Sequence, residues 1–289
     1  MSFDNAYEAL ADAHDDSRWA FGTGFEDPLS GVDTTVPSGM DGADLSAYCL
    51  MLGDDALVFS HRLQEWITNA PELEDEVAIA NIGLDLLGQA RLLLARAGKA
   101  DGSGRSEDSY AYLRPEKEFR NVRLAELPRG DFGQFVAVLL VFSTWRLALL
   151  QALRDSPDPV LAAIAAKGVK EVTYHRDYAA QWAVRLGDGT EYSHERMQAG
   201  LDGIWPYVGE LFTPHEIERR VGVDPSTLRA EFDDVLGQVC SAATLTVPGI
   251  APRVGVSGRM GRDGIHTEAM GYLLAELQSV ARAYPEATW

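Results

Sequence analysis

The sequence predicts an all-α protein in which four long helices form a ferritin-like bundle, followed by additional C-terminal helices. Apolar residues recur at helical spacing from residue 44 onward, and no stretch shows the alternation of a β-strand. The four longest patterns form two pairs, each joined by a short turn, and a connection of about 35 residues separates the pairs. Because long crossovers of this kind occur in ferritin-like bundles, we expect that architecture.

Turn and capping residues set the limits of the four long helices. We place the first at Asp44–Thr68 and the second at Pro71–Ala97, with four acidic residues near its positive N-terminal end. The third is predicted at Asp131–Arg154. The fourth opens in "SPDPV", with Asp158 as the N-cap and Pro159 at the first helical position, and it ends at "LGDGT".

Further helices are predicted after the bundle. One runs from Glu191 to Leu211 and is expected to bend at Pro206, because proline cannot donate the helical hydrogen bond. The stretch "TPHE" at Thr213–Glu216 has the pattern of a capping box. The stretch "DPSTLRAEF" begins a helix at Asp224, and Thr267 is expected to cap the last helix.

The composition divides the chain at residue 43. Residues 1–43 contain nine Asp or Glu and one Arg together with many turn residues, so we expect an acidic, irregular N-terminal extension. Residues 44–289 are predicted to form the ferritin-like helical domain. The net charge of −19 argues against nucleic acid or an anionic membrane as a partner.

The expected compartment is the cytoplasm. Cys49 and Cys240 lie in predicted helices, and two isolated cysteines do not build a disulfide framework. The N-terminus is acidic and lacks the apolar segment of a signal peptide. The best membrane candidate, Phe135–Leu153, is predicted to be a buried helix because polar residues interrupt it: Ser143, Thr144, Arg146 and Gln151.

Ferritin-like bundles that activate dioxygen hold two irons between their central helices. The ligands are a Glu from each of two helices and a Glu-x-x-His pair from each of the other two. Two hard cations need several carboxylates to neutralise them, and imidazole completes the set. The three-residue spacing places Glu and His on one inward face of the helix.

The second and fourth helices depart from this pattern. Each carries an acid four residues before a possible ligand, Asp85 before Gln89 and Glu171 before His175, and the residue at three-residue spacing is apolar. Residues four apart share a helix face. The simpler interpretation is therefore a hydrogen-bonded polar pair within each helix.

Over most of its length the sequence resembles the C subunits of bacterial multicomponent phenylacetyl-CoA 1,2-epoxidases. The motifs that carry the resemblance are "LGDDALVFSHRLQEW", "APELEDEVAIANIGLDLLGQAR", "KGVKEVTYHRDYAAQW", "RLGDGT" and "GIHTEAMGYLLAEL", in one order from Leu52 to the C-terminus. The resemblance implies a structural, non-catalytic subunit in aerobic phenylacetate degradation. Such a subunit pairs with and stabilises a related di-iron catalytic A subunit, and a reductase supplies electrons.

The resemblance also implies a degenerate metal site, with no catalytic residue, metal or cofactor on this chain and di-iron only on the catalytic partner. When the ligand pattern of the catalytic subunit is carried onto this sequence, Glu65 and His175 match it. The other ligand positions hold different residues: Leu86, Gln89, Ser143 and Val172. Asp85 and Glu171 are then neighbouring acids that hydrogen-bond in the core.

The residues by themselves leave two other functions open. An active di-metal oxygenase would use an atypical ligand set: Glu65, Asp85, Glu171 and His175. That set supplies fewer carboxylates and imidazoles than the standard site, which argues against it. A ferritin-like storage or stress protein would also need a complete metal site.

Two surface features are also considered. The glycine-rich loop Pro248–Gly264 contains Arg253, Arg259 and Arg262, and it is either a solvated loop or a contact for an acidic partner or the phosphates of coenzyme A. The second and third helices are apolar on nearly all sides. We expect one side of each helix to be buried in the bundle core and the other side to be buried at a subunit interface.

Overall fold

The fold is given by a computed structural model that describes residue 29, residues 31–253 and residues 255–287. Short 3-10 helices connect the α-helices, and the described residues form no β-strand, only an isolated bridge between Val256 and Arg259. The predicted all-α class is therefore confirmed. The α-helices of the described residues are α1 (Gly42–Gln64), α2 (Leu73–Ala100), α3 (Glu107–Tyr112), α4 (Phe132–Leu153), α5 (Pro159–Gly187), α6 (Glu191–Ile204), α7 (Glu216–Val221), α8 (Arg229–Ala242) and α9 (Glu268–Ala283).

The long helices α1, α2, α4 and α5 form the ferritin-like bundle. Contacts run in opposite order along α2 and α5, and also along α1 and α4, so each of these pairs is antiparallel. The long connection therefore joins α2 to α4 across the diagonal of the bundle, as predicted for a ferritin-like topology. The contacts that define the two pairs are Asp85–His175 and Gln89–Glu171, and Phe59–Phe142 and Trp66–Phe135.

The two most apolar helices differ in how the chain covers them. Both α2 and α4 are long and apolar enough to cross a membrane, a test that core helices also pass. The most apolar window of α4 is 89% buried, because α5, α6 and α8 pack around it. The side of the third helix that was predicted to lie at a subunit interface is therefore covered by helices of the same chain. The corresponding window of α2 is only 44% buried.

Two predictions for the helices after the bundle are wrong. The fifth helix does not bend at Pro206 but ends at Ile204 and continues as a 3-10 helix, Trp205–Phe212, because proline has no N–H for the α-helical bond. The cap of α7 is His215, two residues beyond Thr213. Its ring accepts from the N–H of Ile217, while the backbone N–H of His215 donates to Glu218.

The described part of the N-terminal segment contacts the bundle. Residues 31–40 contain no helix, but Val32, Val36 and Met40 are partly buried against the core. The guanidinium of Arg96 donates to the carbonyl of Thr34 at 2.6 Å. The segment therefore packs on the bundle up to α1, which begins at Gly42 and not at residue 44. The division of the chain at residue 43 stays a prediction, and residues 1–28 lie outside the described residues.

Consecutive carboxylates on α1 attach the connecting segments to the bundle. Asp54 and Asp55 are both fully buried. Asp54 accepts two hydrogen bonds from the guanidinium of Arg114 and one from the N–H of Arg120. Asp55 accepts from the guanidinium of Arg262 at 2.9 Å on both oxygens and also from the N–H of Val122. One helix thus holds both the long connection and the C-terminal loop.

We expect Asp54→Ala to destabilise the protein by about 3–5 kcal/mol, because the guanidinium of Arg114 would stay buried without a carboxylate. The free energy of unfolding in urea measures this loss. Asp233→Ala is the matched control, since its pair with Arg229 is about half exposed. The control should cost less than about 1 kcal/mol. Equal losses in the two variants would contradict the argument.

A buried histidine joins the last helix to the long connection. His266 contacts the carboxylate of Glu126 through Nδ1 at 2.8 Å and the carbonyl of Phe119 through Nε2 at 3.1 Å. Because both partners accept hydrogen bonds, these contacts favour the imidazolium form, in which both ring nitrogens donate. Glu126 also accepts from the N–H of Thr267, the residue before α9. His266 thus belongs to the network of contacts at the N-terminus of α9.

The same contact predicts a pH-dependent stability. Burial by itself lowers the pKa of His266, but the hydrogen bond and charge of Glu126 outweigh it, with smaller help from Phe119 and Glu116, so the pKa lies above its ordinary value of 6.5. The stabilisation is therefore complete below that pH and is lost as the pH rises through the raised pKa. Urea unfolding between about pH 5.5 and about pH 9 should show this loss.

His266→Gln is the control for this pH dependence. Burial raises the pKa values of Glu210 and Glu218, but both carboxyl groups are present in the wild type and the variant. Their contributions to the pH dependence therefore cancel in the comparison. The stability difference between wild type and variant should shrink as the pH rises. A constant difference across the range would show that His266 does not titrate in the native protein.

Candidate functional site

The middle of the bundle, where a di-metal centre would lie, contains apolar side chains and one cation. Leu86 of α2 and Val172 of α5 are fully buried there. A Cβ on Gly168 would lie 2.9 Å from Leu150 and 3.4 Å from the amide of Gln89, so α5 closely approaches α4 and α2 at this level. The space between the helices is therefore small and largely apolar.

The cation is Arg146, on α4. Its side chain is fully buried, its Nε donates to Oε1 of Gln89 at 2.9 Å, and both terminal nitrogens point to the carbonyl of Leu52 at 3.4 Å. Among the described residues, no carboxylate lies within 4.0 Å of this guanidinium. Burial lowers the pKa of Arg146 to about 10, so the side chain stays charged at neutral pH.

Gln89 connects this cation to a carboxylate nearer the surface. Its Nε2 donates to Glu171 at 2.9 Å, while its Oε1 accepts from Arg146. Glu171 also pairs with Lys167 at 2.6 Å, on the partly exposed side of α5. Both ends of the Gln89 amide are thus used, which explains why a buried helix face keeps this residue.

A second polar contact lies beside that of Gln89 with Glu171. Nε2 of His175 is 3.0 Å from Oδ2 of Asp85, with the imidazole buried and the carboxylate 41% exposed. The polar pairs therefore form between α2 and α5, and the prediction of a pair within each helix is wrong. Residues four apart on two antiparallel helices face each other across the contact, so each finds a partner on the other helix.

The structure does not bring Glu65 to this group. Gly83 of α2 packs against Ser60 and Leu63, and Gly53 packs against residues 93–94. The α1 residues that face Leu86 and Gln89 therefore lie between Gly53 and Ser60. Glu65 lies beyond this level, at the C-cap of α1, and pairs with Arg62.

Ser143 lies at the interior position expected for a ligand on the third helix, but its hydroxyl is already hydrogen-bonded within α4. Its hydroxyl donates to the carbonyl of Leu139, one turn earlier on α4, at 2.6 Å. A serine that bonds its own helix in this way offers no free ligand atom. Across the described residues, no group of three or more His, Cys, Asp or Glu side chains is placed to hold a metal ion.

The donor set in the bundle does not fit a pair of iron ions. Such a centre needs four carboxylates and two imidazoles around two cations. Here Asp85, Glu171 and His175 lie between α2 and α5, while a guanidinium occupies the interior and would repel a metal cation.

Arg146 is the central residue that sequence reasoning missed. In the sequence it is only a polar interruption of the apolar third helix. Its position in a helix that is apolar on all sides could have identified it. A permanently charged side chain that is buried in such a helix must find buried partners. The neutral partners, Gln89 and the Leu52 carbonyl, are not recognisable without the packing.

The three arginines of the glycine-rich loop do not form one basic surface. Arg262 is buried between Asp55 and Glu218. Arg253 donates to the hydroxyl of Tyr207, and Arg259 donates to the carbonyl of Asp263. The loop is therefore anchored to the bundle through Arg262, and the predicted contact with phosphates loses one of its three cations.

Comparison with known proteins gives the family. A family model described as phenylacetic acid catabolic protein matches residues 33–289. The chain is also 44% identical over 251 residues to the C subunit of the 1,2-phenylacetyl-CoA epoxidase of Escherichia coli (strain K12), with 85% of this chain and 99% of that protein covered. The resemblance inferred from the sequence motifs is thereby confirmed, and the chain belongs to the phenylacetic acid catabolic protein family.

Proposed function

We propose that this chain is a structural, non-catalytic subunit of a multicomponent phenylacetyl-CoA 1,2-epoxidase in phenylacetate degradation. In this role it pairs with a related di-iron catalytic subunit and stabilises it, while a reductase supplies electrons. The 44% identity to the C subunit of an epoxidase supports the assignment to this pathway. Action in the cytoplasm is part of the same proposal.

The observation that carries the non-catalytic role is the position of Arg146. A di-iron site needs acidic ligands facing the interior, but here a buried guanidinium lies between Gln89 and the carbonyl of Leu52. Leu86 and Val172 add no ligand atom. The cation interacts with the polar ends of its neighbours without a metal, so the bundle needs no ion to satisfy its interior.

A second candidate function is an oxygenase with an atypical di-metal site. The contact of Asp85 with His175, beside Glu171, favours it, because carboxylate and imidazole lie together between α2 and α5. Glu65 lies outside this group, and Lys167 neutralises Glu171. These side chains therefore offer ligands for at most a weak single-ion site.

Metal analysis separates the two functions. We expect the purified chain, washed without chelator, to contain iron far below one ion per chain, whereas the catalytic partner isolated alongside it should hold about two. The partner serves as the positive control for iron loading. About two irons per chain in the isolated protein would overturn the non-catalytic role.

Substitutions in the interior should affect stability but not turnover. Gln89→Leu leaves Arg146 Nε and Glu171 Oε2 without a partner, and we expect a loss of about 1–3 kcal/mol in urea unfolding. Asp85→Asn, at a partly exposed carboxylate, is the milder matched variant. In the assembled complex both should retain turnover of phenylacetyl-CoA within about tenfold of wild type. A loss beyond about a hundredfold with assembly intact would indicate a direct catalytic role.

A further inference from the structure

A short segment before α1 closes over a buried ion pair. Arg96 of α2 is 2% exposed and pairs with Asp158, the fully buried N-cap residue of α5. The guanidinium also donates to the backbone carbonyls of Thr34 at 2.6 Å and of Thr35 at 3.4 Å. Residues 31–40, here named the strap, therefore supply the remaining acceptors of an ion pair that joins α2 to α5.

The strap is attached to the bundle by few contacts. Three of its backbone N–H groups donate to acceptors inside or next to the strap itself. Among the described residues, Arg96 alone provides hydrogen bonds from the bundle to the strap, and the apolar contacts come from the partly buried side chains of Val32, Val36 and Met40. Segments with few buried apolar contacts are the first parts of a protein to open.

The strap can leave without disturbing the start of α1. Asp41 caps this helix, since its side chain accepts from the N–H groups of Ala43 and Asp44. Gly39 lies between this cap and the strap and has a φ of +89°, in the left-handed region that favours glycine. A Cβ there would meet no atom within 4 Å, so the backbone conformation alone requires the glycine. Gly39 is therefore a hinge between the strap and α1.

Water can replace the strap at Arg96. When the strap leaves, the terminal nitrogens that donated to Thr34 and Thr35 face solvent and bond water instead. The pair with Asp158 persists, because that carboxylate is held from the bundle side by Arg96 and by the N–H of Leu161. Detachment of the strap thus exposes the guanidinium and leaves the contact between α2 and α5 in place.

We propose that the strap is a conformational latch, which detaches at Gly39 from the folded bundle and exposes the pair of Arg96 with Asp158. When attached, it covers one end of the contact between α2 and α5, the two helices that share the polar groups of the bundle. The family match begins at residue 33, inside the strap, so the residues before that match reach the bundle through this latch. The latch belongs to the isolated chain and does not depend on the proposed function.

Chemical modification of arginine measures the detachment. Phenylglyoxal reacts with accessible guanidinium groups, and mass spectrometry of the modified full-length chain gives a rate for each arginine. Gly39→Ala strains only the attached state, so Arg96 should be modified about tenfold faster than in the wild type. Gly258→Ala is the matched control in the C-terminal loop, because Gly258 also has a positive φ and open space at its Cβ. It should leave the rate of Arg96 unchanged.

A second pair of variants weakens the apolar attachment instead of the hinge. Val36→Ser should raise the modification rate of Arg96 about fivefold, because it removes a partly buried apolar side chain from the strap. Val239→Ser, at a partly buried valine of α8, is its control. Arg114, which is 1% exposed and pairs with Asp54, reports unfolding of the bundle, and its rate should be the same in the wild type and every variant.

The rates of the two arginines decide the outcome. Faster modification of Arg96 in both strap variants, with Arg114 unchanged, supports the latch. If Arg96 and Arg114 become faster together, the strap opens only when the bundle unfolds and the proposal is wrong. It is also wrong if both strap variants modify Arg96 at the wild-type rate, or if the control variants accelerate it equally.

Discussion

The fold depends on two adjacent buried carboxylates, Asp54 and Asp55 of α1. Neighbouring residues on a helix point about 100° apart, so each reaches a different segment: Arg114 in the long connection and Arg262 in the C-terminal loop. Their oxygens also accept from the backbone N–H groups of Arg120 and Val122. An irregular connection cannot satisfy its own backbone groups when buried, and these carboxylates provide the missing acceptors.

Compensation of buried charges also governs the bundle interior. A ferritin-like centre collects carboxylates because two metal cations compensate them. In this chain the guanidinium of Arg146 lies between α2 and α4, and its nearest acceptors are a neutral amide and a carbonyl. Glu171 lies at the other end of Gln89 and is compensated by Lys167 from the surface side. Gln89 therefore links the buried cation to a carboxylate nearer the surface through a chain of hydrogen bonds.

The sequence predicted the helices well where a local signal acts alone. Asp158 and Pro159 begin α5 as expected, because an N-cap and a proline at the first position act without help from the rest of the protein. It failed where tertiary packing chooses between local signals, as at His215. In the site it correctly singled out Asp85, Gln89 and His175 as polar groups of the bundle. It could not pair them, since pairing depends on how α2 and α5 are aligned.

Helices α2 and α4 show why composition cannot identify an interface. Both are apolar on nearly all sides, and the sequence treats them alike. What distinguishes them is the later chain, since α6 and α8 return over α4, whereas the short helix α3 lies beside α2 only near Leu87 and Arg91. The described residues therefore leave part of α2 exposed, although its composition is that of a helix buried on two sides. The interior does not need that side, because Phe59, Phe142 and Arg146 fill the bundle from within.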